Sequence, residues 1–339
     1  MFAFTVQPEN GESFHSLIPG KLLRDAAKSM SKSLVKAVSC VLLMFFSVAT
    51  TLCAAASKSI DGTYPYNIVM IPTLVEGLKL ASSGALLGVM YISGIPVTIS
   101  WSSRGFASFA SPAFCYFVSN NCMFHVIRLL GPTMFQILSN LKILSTALLM
   151  RIFLGRKVSW FRWKALAILA LGSMVSQLSC EQVFERDSLL GYLFLLAHTM
   201  SSGAGGVLSE KLLKGGTTVS DTIHWQNVQL YSFGVLFGVA SMALDGERSR
   251  IPSSNVFHGF NAAAVATVFS MTVSGLLVSF ILKHLDNIAK CFVVTISMLV
   301  VALCNSLLTD TAPPLQLLIG MILCCIAIEQ YQFSPQDGT

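Results

Sequence analysis

Long apolar runs separated by short polar segments dominate this chain. Runs of about 20 apolar residues are long enough to cross the hydrocarbon core of a bilayer as helices, so ten such runs predict ten transmembrane helices. The first run follows 36 polar residues and is longer than a signal-peptide core, which indicates a retained helix. The runs cover residues 37–57, 66–92, 107–127, 131–150, 163–180, 188–209, 225–244, 260–282, 291–309 and 313–329.

The composition supports a single membrane domain. Of the 339 residues, 54% are hydrophobic and only 11% are charged, whereas a soluble domain carries about 25% charge. We therefore expect a cytosolic tail at residues 1–36, a transmembrane domain at 37–330 and a short cytosolic tail at 331–339. The nine cysteines lie mostly within apolar runs, so no disulfide framework or metal site is predicted.

Basic residues are distributed unevenly between the two sides of the predicted bundle. Fifteen lysines and arginines fall on the side of the N-terminus, five fall on the opposite side, and Lys79 and Lys142 lie within runs. Because positive residues favour the cytosolic side, both termini are predicted to be cytosolic. The charged residues behind the net charge of +6 lie mostly between apolar runs, which does not favour a nucleic-acid partner. The lipid bilayer is the expected environment.

The chain contains a weak internal repeat. The segments VIRLLGPTMFQIL (126–138) and ILKHLDNIAKCFV (281–293) each place a basic residue and a tight polar turn between two apolar helices. They lie near corresponding positions of the two halves. This spacing predicts two five-helix repeats of inverted topology, a common plan for secondary transporters.

Lys142 is the clearest candidate for a functional residue. It is the only charged residue within residues 129–150, and a central lysine costs a membrane helix roughly 2.5–3.5 kcal/mol. A snorkelling lysine is the alternative, but the nearer end of the run is about 14 Å away at ~1.5 Å per residue. Gln136 and Asn140 lie one turn apart in the same run, so we expect a polar stripe that faces a cavity.

Further polar residues interrupt the second and third runs. Glu76 and Lys79 are spaced three residues apart, which fits either a self-neutralised pair or a role in gating and coupling. The segment YFVSNNC contains Tyr116, Asn120 and Asn121. Adjacent asparagines in a membrane helix are costly unless they have partners, so they indicate either a substrate site or hydrogen bonds between helices.

The second half of the chain contributes a matching set. Asn227 and Tyr231 lie one turn apart at the start of the seventh run, although an aromatic residue there is also an ordinary interface anchor. The segment LKHLDNIAK places Lys283 and Lys290 around a short turn, where both could face a vestibule. These residues indicate a carrier with buried cations, which suits an anionic solute. No enzyme motif, metal cluster or cofactor fingerprint accompanies them.

Several of these segments occur in the same order in one known family of membrane carriers. They are FQILSNLKILSTALLMRIFLGRKVSWFRWKALAILALGSMVSQLS (135–179), VEGLKL, YFVSNN, SEKLLK (209–214), QNVQLY (226–231) and GLLVSFILKHLDNIAKCF (275–292). Over about residues 64–330 the chain resembles the nucleotide-sugar transporter family of the drug/metabolite transporter superfamily. The chain departs from the family pattern at Ser119, Phe135 and Asn140.

The resemblance implies that these lysines, tyrosines and asparagines line a central substrate site. It also implies exchange of a cytosolic nucleotide sugar for a luminal nucleoside monophosphate in the Golgi or endoplasmic reticulum. The Gly-Ala-Leu-Asn-Lys motif of GDP-sugar carriers is absent, which favours a UDP-sugar. A sugar-phosphate exchanger of the same superfamily and a non-transporting scaffold or receptor remain alternatives, and a homo-oligomer is possible.

Overall fold

The computed structural model describes residues 17–59, 64–66, 70–178, 188–215, 220–244, 259–308 and 312–333. Over these residues the chain is helical and contains no strand, which confirms the predicted all-α class. The helices are α1 (Leu17–Ala56), α2 (Met70–Ile92), α3 (Ser103–Ser108), α4 (Ala110–Leu130), α5 (Pro132–Leu138), α6 (Lys142–Leu154), α7 (Trp160–Val175), α8 (Leu189–Lys214), α9 (Ile223–Leu244), α10 (Ala262–His284), α11 (Asn287–Leu308) and α12 (Leu315–Phe333).

Six helical segments in the described part of the chain are long and apolar enough to cross a membrane. This finding supports a multi-pass membrane protein, and the count of ten spans stays a prediction. Helices α4 and α9 have 21 and 22 residues and are not among these six. The six segments are Ser33–Ala56, Met70–Ile92, Met134–Leu154, Ala262–His284, Asn287–Leu308 and Leu315–Phe333.

The fourth predicted run is a helix with a tight turn in its middle. Helix α5 passes into a 3-10 turn at Ser139–Leu141, and α6 then begins at Lys142. Side chains within this turn bond to the preceding backbone: Ser139 Oγ donates to the carbonyl of Gln136 at 3.1 Å, and Asn140 Nδ2 donates to it at 3.2 Å. Such side-chain bonds compete with regular helix geometry, and a 3-10 stretch inside a helix is often found at a functional hinge.

The helices pack in pairs that relate the two halves of the chain. Helix α4 packs on α8 as α10 packs on α1, α6 on α8 as α11 on α1, and α4 on α9 as α10 on α2. Helix α2 packs on α9 and helix α7 packs on α12, and each of these pairs joins the equivalent helices of the two halves. Such pairing is expected for two five-helix repeats, and the inverted topology stays a prediction.

Small residues allow the last helices of the two halves to approach closely. A Cβ atom added to Gly320 of α12 would lie 2.6 Å from the carbonyl oxygen of Gly172 in α7. Glycine is therefore required at this crossing, as in many membrane helix pairs. Beside it, Leu166, Leu169 and Ala170 of α7 belong to the largest buried apolar cluster.

The two ends of the bundle are closed by different chemistry. Helices α6, α8 and α10 end, and α7, α9 and α11 begin, at an end that we call the charged end because Arg156, Glu210 and Lys214 form ion pairs there. At the opposite end, neutral hydrogen bonds join the end of α1 to the segment before α2 and to the start of α10. The hydroxyls of Ser57 and Tyr66 lie 2.6 Å apart, and Asn261 Nδ2 donates to the carbonyl of Ser57 at 3.0 Å.

Candidate functional site

A cavity of about 350 Å³ lies between α2, α4, α8, α9, α10 and α11. Pockets for small ligands span roughly 300–1,000 Å³, so this cavity has a suitable size. It extends to the first turn of α2 at Pro72 and to the last turn of α9 at Met242, which are both at the opposite end. Seven of the predicted site residues line it, namely Glu76, Lys79, Tyr116, Asn120, Asn121, Tyr231 and Lys290.

Glu76 and Lys79 form an ion pair in the wall of this cavity. The side chain of Lys79 is 11% exposed, and its Nζ also lies 4.5 Å from the centre of the Tyr231 ring. A cation over an aromatic face is attracted to it. The charge of Lys79 is therefore neutralised within the wall, which agrees with the predicted self-neutralised pair.

The neighbouring helices leave room for Lys79 and fix Tyr231. A Cβ atom added to Gly275 of α10 would lie 2.5 Å from Lys79 Cδ, so only glycine admits the lysine stem here. The hydroxyl of Tyr231 lies 2.7 Å from Ser279 Oγ and 3.2 Å from the carbonyl oxygen of Gly275. Tyr231 is thus held by α10 and presents its ring, rather than a free hydroxyl, to the site.

Lys290, in the first turn of α11, lines the cavity. Lys142, at the start of α6, is not among the lining residues, and it lies within electrostatic range of Lys290 and of His198. Within the described ranges neither lysine has an ion-pair partner. An anion entering the cavity would therefore meet Lys290 as an uncompensated cation, with Lys142 within electrostatic range of it.

Tyr116, Asn120 and Asn121 of α4 form the wall opposite α2. Asn121 Nδ2 donates to the carbonyl of Phe117 at 2.8 Å, which leaves its side-chain oxygen free to accept. The Tyr116 ring packs on Gly205, where an added Cβ atom would lie 3.0 Å away. Asn120 is exposed. This wall offers hydrogen-bonding groups and an aromatic face.

The remaining predicted residues lie outside the cavity. Lys283 Nζ donates to the carbonyl oxygen of Asp221 at 2.8 Å and to Gln226 Oε1 at 2.7 Å, at the charged end. Asn227 is buried, and its side-chain oxygen has no hydrogen-bond partner within the described residues. Gln136 is exposed on its helix, and Asn140 is committed to its own backbone.

Sequence reasoning did not single out two buried carboxylates at the charged end. Glu210 is fully buried and accepts from Arg156 at 3.0 Å, from Lys214 at 2.8 Å and from the backbone N–H of Asn287 at 2.8 Å. The signal was present, because Glu210 stands one turn before Lys214 within an otherwise apolar run. The basic loop before α7 had no other evident counter-charge nearby.

Asp221 is the second of these carboxylates. It is 3% exposed and accepts from the backbone N–H of Ser100 at 2.8 Å and from Ser100 Oγ at 2.7 Å. The indole of Trp225 donates to the Ser100 carbonyl at 3.1 Å. These bonds join the segment after α2 to the start of α9 and close the charged end beside Lys283.

The family model for the nucleotide-sugar transporters matches residues 31–332. This chain belongs to the nucleotide-sugar transporter family. The transporter is 33% identical over 307 residues to CMP-sialic acid transporter 1 of Arabidopsis thaliana, which covers 87% of this chain and 88% of the Arabidopsis protein. It is 31% identical over 238 residues to UDP-galactose translocator 1 of Caenorhabditis elegans, covering 67% of this chain and 66% of the nematode protein.

A solved crystal structure has the same fold as the transporter. It superposes with a TM-score of 0.64 at 13% identity and covers 87% of this chain and 96% of the other. The family resemblance predicted from the motifs is confirmed. The relatives transport nucleotide sugars of more than one kind, so membership alone leaves the base and the sugar open.

Proposed function

We propose that this transporter exchanges a cytosolic pyrimidine nucleotide sugar for a luminal nucleoside monophosphate across the Golgi or endoplasmic reticulum membrane. A UDP-sugar is the first candidate, because the motif of GDP-sugar carriers is absent from the sequence. The names of the relatives support a pyrimidine, since cytidine and uridine nucleotides both occur among them. The sugar is not specified by any residue described above.

The proposal depends chiefly on the pair of lysines at the cavity. Lys290 lines the cavity, and neither Lys290 nor Lys142 has a carboxylate partner in the described residues. An unpaired buried cation is unfavourable, and an arriving anion relieves that cost. Phosphate is the anion that a lysine binds well as a point charge. The shared element of a nucleotide sugar and a nucleoside monophosphate is the phosphate group.

The rest of the cavity wall suits the other parts of the solute. Asn120 and Asn121 supply amide groups that can recognise a base edge or a sugar hydroxyl. The rings of Tyr116 and Tyr231 supply faces against which a base or ribose can pack. Glu76 and Lys79 neutralise each other, so they leave the two free lysines as the phosphate site.

A counterflow screen in proteoliposomes tests this function. Vesicles would be preloaded with UMP, CMP, GMP, AMP or a triose phosphate, and uptake of UDP-galactose, UDP-N-acetylglucosamine and CMP-sialic acid would be measured. We expect stimulation by UMP or CMP and none by GMP or AMP. Stimulation by triose phosphate alone would favour a sugar-phosphate exchanger, and no uptake of any solute would favour a scaffold or receptor.

The proposed orientation places the charged end, and with it both termini, in the cytosol. The basis is the excess of lysine and arginine on that side. Tags at both ends should be cleaved by protease added to sealed Golgi vesicles. A protected C-terminal tag would contradict both the orientation and the even number of spans.

A further inference from the structure

Glu210 receives hydrogen bonds from three different parts of the chain. Arg156 belongs to the linker between α6 and α7, Lys214 belongs to the same helix as Glu210, and Asn287 is the first residue of α11. Lys214 also donates to the carbonyl oxygen of Leu285 in the turn before α11. The carboxylate is fully buried, so its charge is balanced only while these contacts last.

The partners of Glu210 lie at the ends of the two helices that carry the cavity lysines. Arg156 lies two residues beyond the end of α6, and α6 begins at Lys142. Asn287 begins α11, and Lys290 follows three residues later, on the next turn. Helix α6 contacts α11 directly, and α8 contacts both. Glu210 of α8 therefore joins the helix of one lysine to the helix of the other.

We propose that Glu210 is a positioning residue that clamps the charged end shut by holding the end of α6 and the start of α11 together. The clamp holds the helix that begins at Lys142 against the helix that carries Lys290. Access from the charged end requires the bonds from Arg156 and Asn287 to Glu210 to break. The inference rests on the proposed exchange function for its kinetic consequence, but the clamp itself does not require it.

The cavity reaches the turn of α8 that carries Glu210. Its lining includes Pro72 of α2 and Met242 of α9 at the opposite end, and Ser209, Leu282 and Lys290 toward the charged end. Ser209 directly precedes Glu210 in α8. At the opposite end the contacts among Ser57, Tyr66 and Asn261 are neutral.

Charge stabilises the clamp. The buried carboxylate of Glu210 is balanced by Arg156 and Lys214, and each partner that it loses weakens that balance. Partial opening is therefore costly, whereas full opening exposes the carboxylate to water and restores its solvation. A weakened clamp shifts the population toward the conformation that is open at the charged end.

Hydrogen–deuterium exchange on the purified transporter in lipid nanodiscs tests the clamp without any substrate. In Glu210→Gln we expect several-fold faster exchange in residues 285–290, because the bond from the Asn287 amide weakens, while α12 is unchanged. Glu329→Gln is the matched control, since Glu329 is exposed on α12. Unchanged exchange in residues 285–290, or faster exchange throughout the chain, would overturn the proposal.

Transport kinetics measured separately from each side of sealed Golgi vesicles test the consequence for transport. UMP and CMP are the probes on each side. A population open at the charged end binds better from that side and worse from the other. We therefore expect Glu210→Gln to lower the half-saturating concentration at the charged end and raise it at the opposite end, each about threefold. Glu210→Asp should return both half-saturating concentrations part of the way to those of the unmodified transporter.

A second variant distinguishes loss of the clamp from misfolding. Arg156→Gln leaves the carboxylate in place and removes only the contact to the linker after α6, where Arg156 is 41% exposed. It should shift both half-saturating concentrations in the same directions by a smaller factor. Loss of maximal rate with unchanged half-saturating concentrations in both variants would contradict the clamp. Absence of exchange in the unmodified transporter would contradict the proposed function, and the deuterium result would still decide the clamp.

Discussion

Lys142 and Lys290 differ from Lys79 and Lys283 in having neither an ion-pair partner nor a side-chain hydrogen-bond acceptor among the described residues. Lys79 has Glu76, and Lys283 has the acceptors of Asp221 and Gln226. A lysine whose donors are already satisfied gains less from an arriving phosphate than a lysine without partners. The free pair is therefore expected to dominate anion binding.

Lys142→Ala and Lys290→Ala should each reduce exchange at least tenfold while the protein still reaches the membrane. Removing Lys142 also removes the costly charge from its run, so insertion should not suffer. Initial rates of exchange normalised to the amount of protein in the vesicles provide the measurement. Lys164→Ala is the control, because Lys164 is exposed and packs on the rings of Trp160 and Phe161. Full activity in the Lys142 variant would contradict the proposed phosphate site.

Single residues were predictable from the sequence where their chemistry was locally unusual. A pair of asparagines in an apolar run and two lysines around a short turn are visible without a structure, and Asn120, Asn121 and Lys290 do line the cavity, whereas the isolated Lys142 does not. The contacts of Lys283 were not predictable, because its partners lie 57 and 62 residues away in sequence. Glu210 illustrates the same limit, since its burial depends on a distant linker.

At the scale of the element, the sequence predicted the helices better than their internal geometry. The predicted stripe of Gln136 and Asn140 assumed a regular helix, but Asn140 lies in a 3-10 turn at Ser139–Leu141. Three residues at 3.0 per turn instead of 3.6 rotate the following helix by about 60°. Gln136 is exposed and Asn140 is buried, so the two residues do not share one face.

Gly320→Ala should destabilise the pairing of α7 and α12. The added Cβ would lie 2.6 Å from the Gly172 carbonyl oxygen and 2.5 Å from Ser176 Cβ, so the helices must separate. Overpacking of this kind costs roughly 1–3 kcal/mol. A thermal-shift assay in detergent should give a Tm several degrees lower.

The matched control for this prediction is Gly84→Ala in α2. Nothing lies within 4 Å of its added Cβ, and alanine favours a helix over glycine by about 1 kcal/mol. The control should have an unchanged or slightly higher Tm. An equal loss in both variants would show that the crossing does not require glycine.

At the scale of the whole molecule, two uncompensated lysines at the cavity predict obligatory exchange. The empty transporter must carry unpaired charges through its change of conformation, whereas a bound phosphate neutralises them. Preloading vesicles with the cognate nucleoside monophosphate should therefore stimulate uptake several-fold, as measured with a radiolabelled nucleotide sugar. The monophosphate should compete at the same site and the free sugar should not. Equally fast uptake into empty vesicles would contradict this coupling.

The ion pair of Glu76 and Lys79 also affects how the chain enters the membrane during synthesis. Helix α2 leaves the ribosome before Tyr231 and Gly275 exist, yet its two charges can neutralise each other within one turn. The segment Met134–Leu154 carries Lys142 without such a partner. We expect α2 to integrate alone in a translocon insertion assay, and Glu76→Gln to reduce its integration. The segment Met134–Leu154 should integrate more fully when later helices are translated with it.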